Sequence, residues 1–434
     1  MKIIIASLAF VLASHFALAD AAQPAAATPK VFNVHDFGAK GDGTNLDTDA
    51  IQKALDACAD TGGTVVVPAG TYLSKPLTLG SKTTLQLDKD AMLKATDVND
   101  DFLNPEKPGK TNYVSFISGK KINDVTILGP GTIDGSGGRW WIPAEEARQR
   151  KAGYTLPRPN LIGISNCKNL HIADITLQNS PKFHLVPSDC DGVVISNVTV
   201  LAPSHAANTD AIDPSDCRNV LITRCRIDVG DDNIAIKAGR KKIEGRAWNS
   251  ENITVTDCFF QHGHGLSVGS ECVGGLRGLT VRNCRFENTD NGIRLKSRRG
   301  LGGTLQDLTY TDITMSNVHP AISIACYYQD SSAAKFPTND VAQPLTNTTP
   351  IFRNIIIKNL TATSTRDAGL IVGLPESLVE NVLLENVTIT AAREGLTIAN
   401  AKGVRLKNVT IKPAKGAPFI TQNAQVEVVP AEKK

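Results

Sequence analysis

The chain has 434 residues, with 46 Lys and Arg set against 43 Asp and Glu, a formal net charge of +3. Charge this evenly balanced gives no footprint for nucleic acid or a membrane surface. The length exceeds what one compact core usually holds, so the chain forms either two domains or one elongated core.

The N-terminus reads as an export signal. Lys2 supplies the positive start, an apolar run extends from Ile3 to about Leu18, and Ala17-Leu18-Ala19 is a small-x-small cleavage pattern. The run is too short for a membrane span, and no later segment is apolar enough for one. Cleavage near Ala19 leaves residues 20–434 as the mature chain, secreted to the extracellular or periplasmic space. Next come Val31-Phe32-Asn33-Val34 and a turn-rich stretch from Gly38 to Gly43. Ile51, Ala54, Leu55 and Cys58 then share one helical face, with Asp47 or Thr48 as the N-cap. The strand Thr64-Val65-Val66-Val67 follows.

From here the chain repeats. A turn residue followed by a β-branched run recurs as Asp124-Val125-Thr126-Ile127, Asn169-Leu170-His171-Ile172, Gly192-Val193-Val194-Ile195 and Asn219-Val220-Leu221-Ile222. It continues as Asn252-Ile253-Thr254-Val255, Gly278-Leu279-Thr280-Val281, Asp307-Leu308-Thr309-Tyr310, Asn354-Ile355-Ile356-Ile357, Asn381-Val382-Leu383-Leu384 and Gly403-Val404-Arg405-Leu406. Copies lie roughly 22 to 33 residues apart apart from two longer gaps. Units so short cannot bury an apolar face alone, so neighbours stack. Three short strands per coil, stacked in parallel, predict an all-β chain: a right-handed parallel β-helix of the pectin-lyase-like kind. The helix after Asp47 would cap its N-terminal end, where unpaired backbone otherwise invites aggregation.

Stacking predicts like residues at equivalent positions. Cys225, Cys258 and Cys284 share one position, and Cys167, Cys190 and Cys217 another. These read as interior stacks of small apolar side chains, with disulfides in an oxidising compartment as the alternative. The nine cysteines fit no zinc or haem spacing. Asn197, Asn359, Asn386 and Asn408 match the glycosylation sequon, but an asparagine ladder along a turn explains their recurrence better.

Polar residues converge at one point of consecutive coils. Asn208-Thr209-Asp210 precedes Ala211-Ile212-Asp213, and Gly230-Asp231-Asp232 precedes the next short strand. Gly263-His264-Gly265 and then Arg294-Leu295-Lys296 follow at the same point. With coils about 4.8 Å apart, three carboxylates lie beside a histidine and two cations. Mutual repulsion should raise one carboxyl pKa, leaving an acid beside ionised bases, which is the equipment of glycoside hydrolysis. Asx residues that merely stabilise turns are the bland reading for any single aspartate. A calcium site is opposed by Arg294 and Lys296.

These four segments, together with Asp36-Phe37-Gly38-Ala39, Asn179-Ser180-Pro181, Phe183-His184 and Gly269-Ser270-Glu271, resemble the polygalacturonases, glycoside hydrolase family 28. The resemblance runs from about Phe32 through the last repeats. It implies inverting hydrolysis of α-1,4-galacturonosyl linkages in polygalacturonate or pectin, with no cofactor and no metal, by a secreted monomer. Asp231 resembles the general acid, Asp210 and Asp232 the pair that holds and deprotonates water, and His264 the residue tuning the acid. Asn208, Arg294 and Lys296 resemble substrate-binding residues, the two cations gripping a galacturonate carboxylate. Either Tyr327 or Tyr328 belongs to the cleft, with Tyr328 favoured, and His184 and Lys182 are candidates for outer subsites. Ala211 stands where the family usually has glycine, and Asn233 where many members have cysteine.

Rhamnogalacturonan hydrolysis on the same scaffold is a second reading, disfavoured by the Asn-Thr-Asp and Arg-x-Lys segments. A pectate lyase would need calcium and a basic proton acceptor. A non-catalytic glycan-binding β-helix would explain the repeats but not the charged cluster. Loops that could close one end of a cleft fall around Arg139 to Pro159 and His319 to Pro350, and Trp140 and Trp141 in the first could either stack on sugar or pack under the loop.

Overall fold

The computed structural model describes residues 30–106, 112–150, 156–328 and 339–429. The expected export signal, residues 1–19, lies outside them. The chain winds as a right-handed parallel β-helix. Every pairing between its strands is parallel, and the central coils stack in register; for example, Leu170 pairs with Val193, Val193 with Val220, and Val220 with Ile253. One hydrophobic core runs from Val34 to Ile411, built from inward residues of successive coils.

The repeat's leading residue has a conformational cause. Asp124, Asn169, Asn219, Asn252, Asp307, Asn354 and Asn381 all adopt φ between 54° and 60°, and Gly192, Gly278 and Gly403 stand at the matching bend with φ between 65° and 76°. Gly, Asn and Asp enter this left-handed region most cheaply, so they recur at the corner, although Lys82 turns the equivalent bend of an earlier coil with φ 57°. A second bend explains the sequon-like asparagines. Asn197, Asn359, Asn386 and Asn408 have φ of 52–54°. Their amides donate down the stack, Asn408 to Asn386 at 2.8 Å, Asn386 to Asn359 at 3.0 Å and Asn359 to Asp312 at 2.8 Å.

The nine cysteines are free and buried. Each of the six stacked ones directly follows a left-handed residue, Asn166, Asp189, Asp216, Arg224, Asp257 or Asn283, and so turns inward. The burial agrees with interior stacks, and no two of the nine are joined in a disulfide in this structure.

The capping helix spans Thr48–Thr61 and buries Ile51, Ala54, Leu55 and Cys58. Asp47 is its N-cap residue but does not cap it by its side chain. Its carboxylate accepts instead from the backbone N–H groups of Lys40 and Gly41 at 2.6 and 3.0 Å, which ties the turn-rich segment to the helix. The tail beyond Pro413, silent in the sequence, adds the strand Phe419–Val429 in parallel to Leu396–Pro413.

The first long gap contains a helix, Gly138–Arg150. Trp140 packs beneath it, edge-on to Phe102 and Tyr113, so it belongs to the core and not to a sugar platform. Trp141 is half-buried, edge-on to His205, and donates from Nε1 to the Ser180 carbonyl at 3.0 Å.

Candidate active site

One row of short strands carries the site. Leu185–Ser188 bridges through Ile212 to Ile234–Ile236, which pairs with Leu266–Gly269, then Ile293–Lys296, then Ile322–Ala325. Ile212, Ile234, Leu266, Ile293 and Ile322 are therefore stacked. Asp210, Asp232 and His264 each stand two residues before one of these anchors, so the two aspartates and the imidazole rise from adjacent coils at one position. Asp231 stands one residue further back.

Both glycines of Gly263-His264-Gly265 are required by close backbone approach. Gly263 has φ 114°, and a Cβ there would lie 2.6 Å from the Asp231 carbonyl oxygen; Gly265 has φ 77°, and its Cβ would lie 2.1 Å from the Asn291 carbonyl. Asn233, noted above as a departure, secures this segment. It is fully buried, its Nδ2 donates to the carbonyls of Gln261 and His262, and its Oδ1 accepts from the Gly265 N–H at 2.9 Å.

Asp232 is buried and accepts three hydrogen bonds, from Lys296 Nζ at 2.5 Å, Ser267 Oγ at 2.8 Å and Arg294 at 3.3 Å. Burial pushes its carboxyl up, but Lys296 and then Arg294 outweigh burial and hold it below the ordinary carboxylate value. The two cations are thus engaged by the protein's own aspartate. The ring of Tyr328 lies over both, 5.6 Å from the Arg294 guanidinium and 5.4 Å from Lys296 Nζ. The Tyr327 hydroxyl instead donates to Asp340 at 2.7 Å.

Asp231 meets His264, whose Nδ1 lies 2.9 Å from its Oδ1. Burial raises Asp231, but the charge and hydrogen bond of His264, followed by Lys296, prevail and hold it well below the usual range. Burial lowers His264 in turn, but Asp231 and then Asp290, 3.3 Å from Nε2, lift it to about 10. The expectation that Asp231 retains the raised pKa is overturned in the free protein. Asp210 is the raised group. Burial and the charges of Asp231, Asp213 and Asp232 push it well above 3.8, and its Oδ1 has no hydrogen-bond partner within the protein. The sequence argument counted carboxylates correctly, but it could not see which one the imidazolium would touch.

Two other expected contacts differ. His184 is fully buried, its ring set against the Asp210 carbonyl at 3.1 Å and the Ser180 N–H at 3.4 Å, so it shapes the Asp210 turn and lines no outer subsite. Burial lowers it to about 4, so it is neutral at working pH. Asn208 joins Arg158 to Asp231. Its Oδ1 accepts from Arg158 at 2.7 Å, and its Nδ2 lies 3.4 Å from Asp231 Oδ2. Lys182 sits above the Phe183 ring at 4.3 Å, beside Lys237, which pairs with buried Asp213 at 2.7 Å.

Sequence reasoning missed Arg158, Ser267, Asp290 and His319. Arg158 is buried and donates to the carbonyls of Pro181 and Ala207, locking two turns that frame the site. It lies in the irregular first gap, where periodicity carries no information. Ser267 and Asp290 could have been found by aligning each coil on its anchor.

Asp231, Asp232 and His264 offer ligand atoms within 4.8 Å of one another, a spacing compatible with a metal ion. The imidazolium on Asp231 and the two cations on Asp232 oppose one there.

Asp210 carries a stability consequence. Above pH 3.8 an unfolded Asp210 is ionised while the folded one keeps its proton, so its contribution falls as pH rises from 3.8 through its own higher value. Asp210→Asn should remove that penalty, stabilising the fold by about 1 kcal/mol at pH 7, with the gain shrinking toward pH 4. Thermal melts of both proteins at the two pH values check this; a destabilised variant at pH 7 contradicts it.

The family model for the glycosyl hydrolases of family 28 matches residues 58–410. An endo-polygalacturonase of Pectobacterium parmentieri is 37% identical over 308 residues, 67% of this chain and 74% of that protein. Among solved structures, a hyperthermoactive exopolygalacturonase from Thermotoga maritima is similar with a TM-score of 0.72 and 25% identity, covering 88% of this chain and 92% of that one. The polygalacturonase from Erwinia carotovora ssp. carotovora is similar with a TM-score of 0.64 and 29% identity, covering 92% and 97%.

Proposed function

The chain belongs to the glycosyl hydrolases of family 28, and from that premise we propose that it hydrolyses α-1,4-galacturonosyl linkages of polygalacturonate and pectin with inversion at the anomeric carbon. One observation supports this above the rest. Asp210 and Asp232 are stacked on adjacent coils beside Asp231, with Arg294, Lys296 and Tyr328 closing one side. Polygalacturonate supplies a carboxylate on every sugar, which matches the cationic side of this cleft.

In this reading Asp231 protonates the leaving oxygen. Its proton comes from the hydrogen bond it shares with His264. When substrate excludes water, a separated carboxylate–imidazolium pair loses solvation, and the neutral acid becomes accessible. Protonated Asp210 and ionised Asp232 offer a donor and an acceptor to one water, and Asp232 takes its proton. Arg294 and Lys296 keep Asp232 charged and share their remaining donors with a substrate carboxylate. Both being committed to Asp232, neither serves well as the base of a lyase. The reading includes export on residues 1–19 and action as a monomer. Among the described residues no helix is long and apolar enough to cross a membrane.

Asp231 and Asp232 approach within 4.8 Å. That is closer than the about 6.5–9.5 Å usual for inverting pairs and nearer the about 5–5.5 Å of retaining ones. Inversion therefore rests on the family resemblance, and proton NMR of the first products decides it. The β-anomer should appear first from the α-linked chain. Early α-anomer would remove the inverting mechanism, and absorbance from an unsaturated product would replace hydrolysis by elimination.

A further inference from the structure

We propose that Asp290, held in place by His319, is a positioning residue that keeps His264 a doubly donating imidazolium against Asp231 and so sets the alkaline limit of turnover. The inference rests on the reading of Asp231 as the acid.

The placement follows from the coil register. Asp231, Gly263, Asp290 and His319 each stand three residues before the stacked anchors Ile234, Leu266, Ile293 and Ile322. They form one row on four consecutive coils. Gly263 adds no side chain to that row, where the ring of neighbouring His264 stands. The ring therefore sits between two carboxylates, Nδ1 at 2.9 Å from Asp231 and Nε2 at 3.3 Å from Asp290. On the far side, His319 Nε2 lies 3.4 Å from the other Asp290 oxygen. The backbone fixes the order: His264 N–H donates to the Asp231 carbonyl at 2.9 Å, and Asp290 N–H to the Gly263 carbonyl at 2.7 Å.

With a carboxylate at each nitrogen, both ring nitrogens must be donors, which only the imidazolium provides. The charged groups around the row agree with this. His264 faces Asp231, Asp290 and Asp232. Asp290 faces His264, His319 and Arg294, which together hold it below the ordinary carboxylate value. His319 faces Asp290, Arg366 and Arg393; burial first and then the two arginines lower it, against the opposing charge of Asp290. Asp290 side chain is 53% exposed against 28% for His264. Its side-chain partners are His264 and His319, and through the first of them it acts on Asp231.

The test is the pH profile of kcat and KM on polygalacturonate for Asp290→Asn, Asp290→Glu and His319→Gln, with the His264 ring followed by NMR titration. For Asp290→Asn, loss of the second carboxylate should move the alkaline limb and the His264 titration down together by about one pH unit. With the limb moving from about 10 to about 9, turnover should drop about fivefold at pH 10 and less than twofold at pH 8 and at pH 5, with KM little changed. Asp290→Glu should restore most of the limb, and His319→Gln should shift it less than Asp290→Asn. A His264 titration that stays in place in Asp290→Asn, or an equal loss at every pH, overturns the inference. Failure of the acid assignment is distinguishable: Asp231→Asn would then keep turnover, while the His264 titration still reports whether Asp290 governs the ring.

Discussion

Asp231→Asn is expected to reduce kcat on polygalacturonate by about a thousandfold or more while leaving oligogalacturonate binding largely intact. The amide keeps the shape of the side chain but has no proton of suitable acidity, and a positioned general acid contributes about 10²–10⁴ in rate. The amide oxygen can keep the 2.8 Å contact from the Asp232 N–H, and the NH2 replaces the oxygen that accepts from Asn208 at 3.4 Å, so only that long contact is lost. The variant also loses the charge that raises His264, so that ring's pKa should fall from about 10 toward its ordinary value of 6.5. Reducing-end release, calorimetric binding of oligogalacturonate and NMR titration of His264 give three independent readings. Substantial residual turnover would mean that another group protonates the leaving oxygen.

The second large effect is at Lys296. Lys296→Ala removes the shortest contact on a carboxylate that is only 2% exposed, and deleting one partner of a buried pair costs about 3–5 kcal/mol unless the survivor takes up a proton. Either outcome is damaging: an unpaired Asp232 destabilises the fold, and a protonated one cannot deprotonate water. Both a lower melting temperature and a lower kcat are therefore expected. Adding Asp232→Asn should restore much of the stability and none of the activity, because the uncompensated charge is gone but so is the base. Binding should weaken more on polygalacturonate than on fully methyl-esterified pectin, whose carboxylates are masked. An unchanged melting temperature would contradict the buried pair, and equal binding losses on both substrates would contradict the grip on a carboxylate. Arg294→Ala should follow the same pattern more mildly, since its contact with Asp232 is 3.3 Å against 2.5 Å.

Much of the architecture was determined locally. A corner that turns through φ near +55° selects Asn, Asp or Gly, and the inward positions between corners select β-branched and small apolar residues, so each coil announces itself in the sequence. The capping helix was equally legible, because its buried face needs only the spacing of Ile51, Ala54, Leu55 and Cys58. The coil repeat also brought Asp210, Asp231, Asp232, His264, Arg294 and Lys296 together, since equal offsets on stacked coils become neighbours in space. What the repeat does not encode is which of those neighbours touch. That His264 is clasped by Asp231 and Asp290, that Lys296 and Arg294 converge on Asp232, and that Asp210 is left with the raised pKa depend on side-chain directions. His184 shows the same limit: its neighbours in sequence pointed to the cleft, yet its ring is directed inward. Arg158 comes from a segment with no period, and only the folded path of that segment carries it to the site. Protonation is decided by burial and by charges a few ångströms away, and those distances exist only once the coils are stacked.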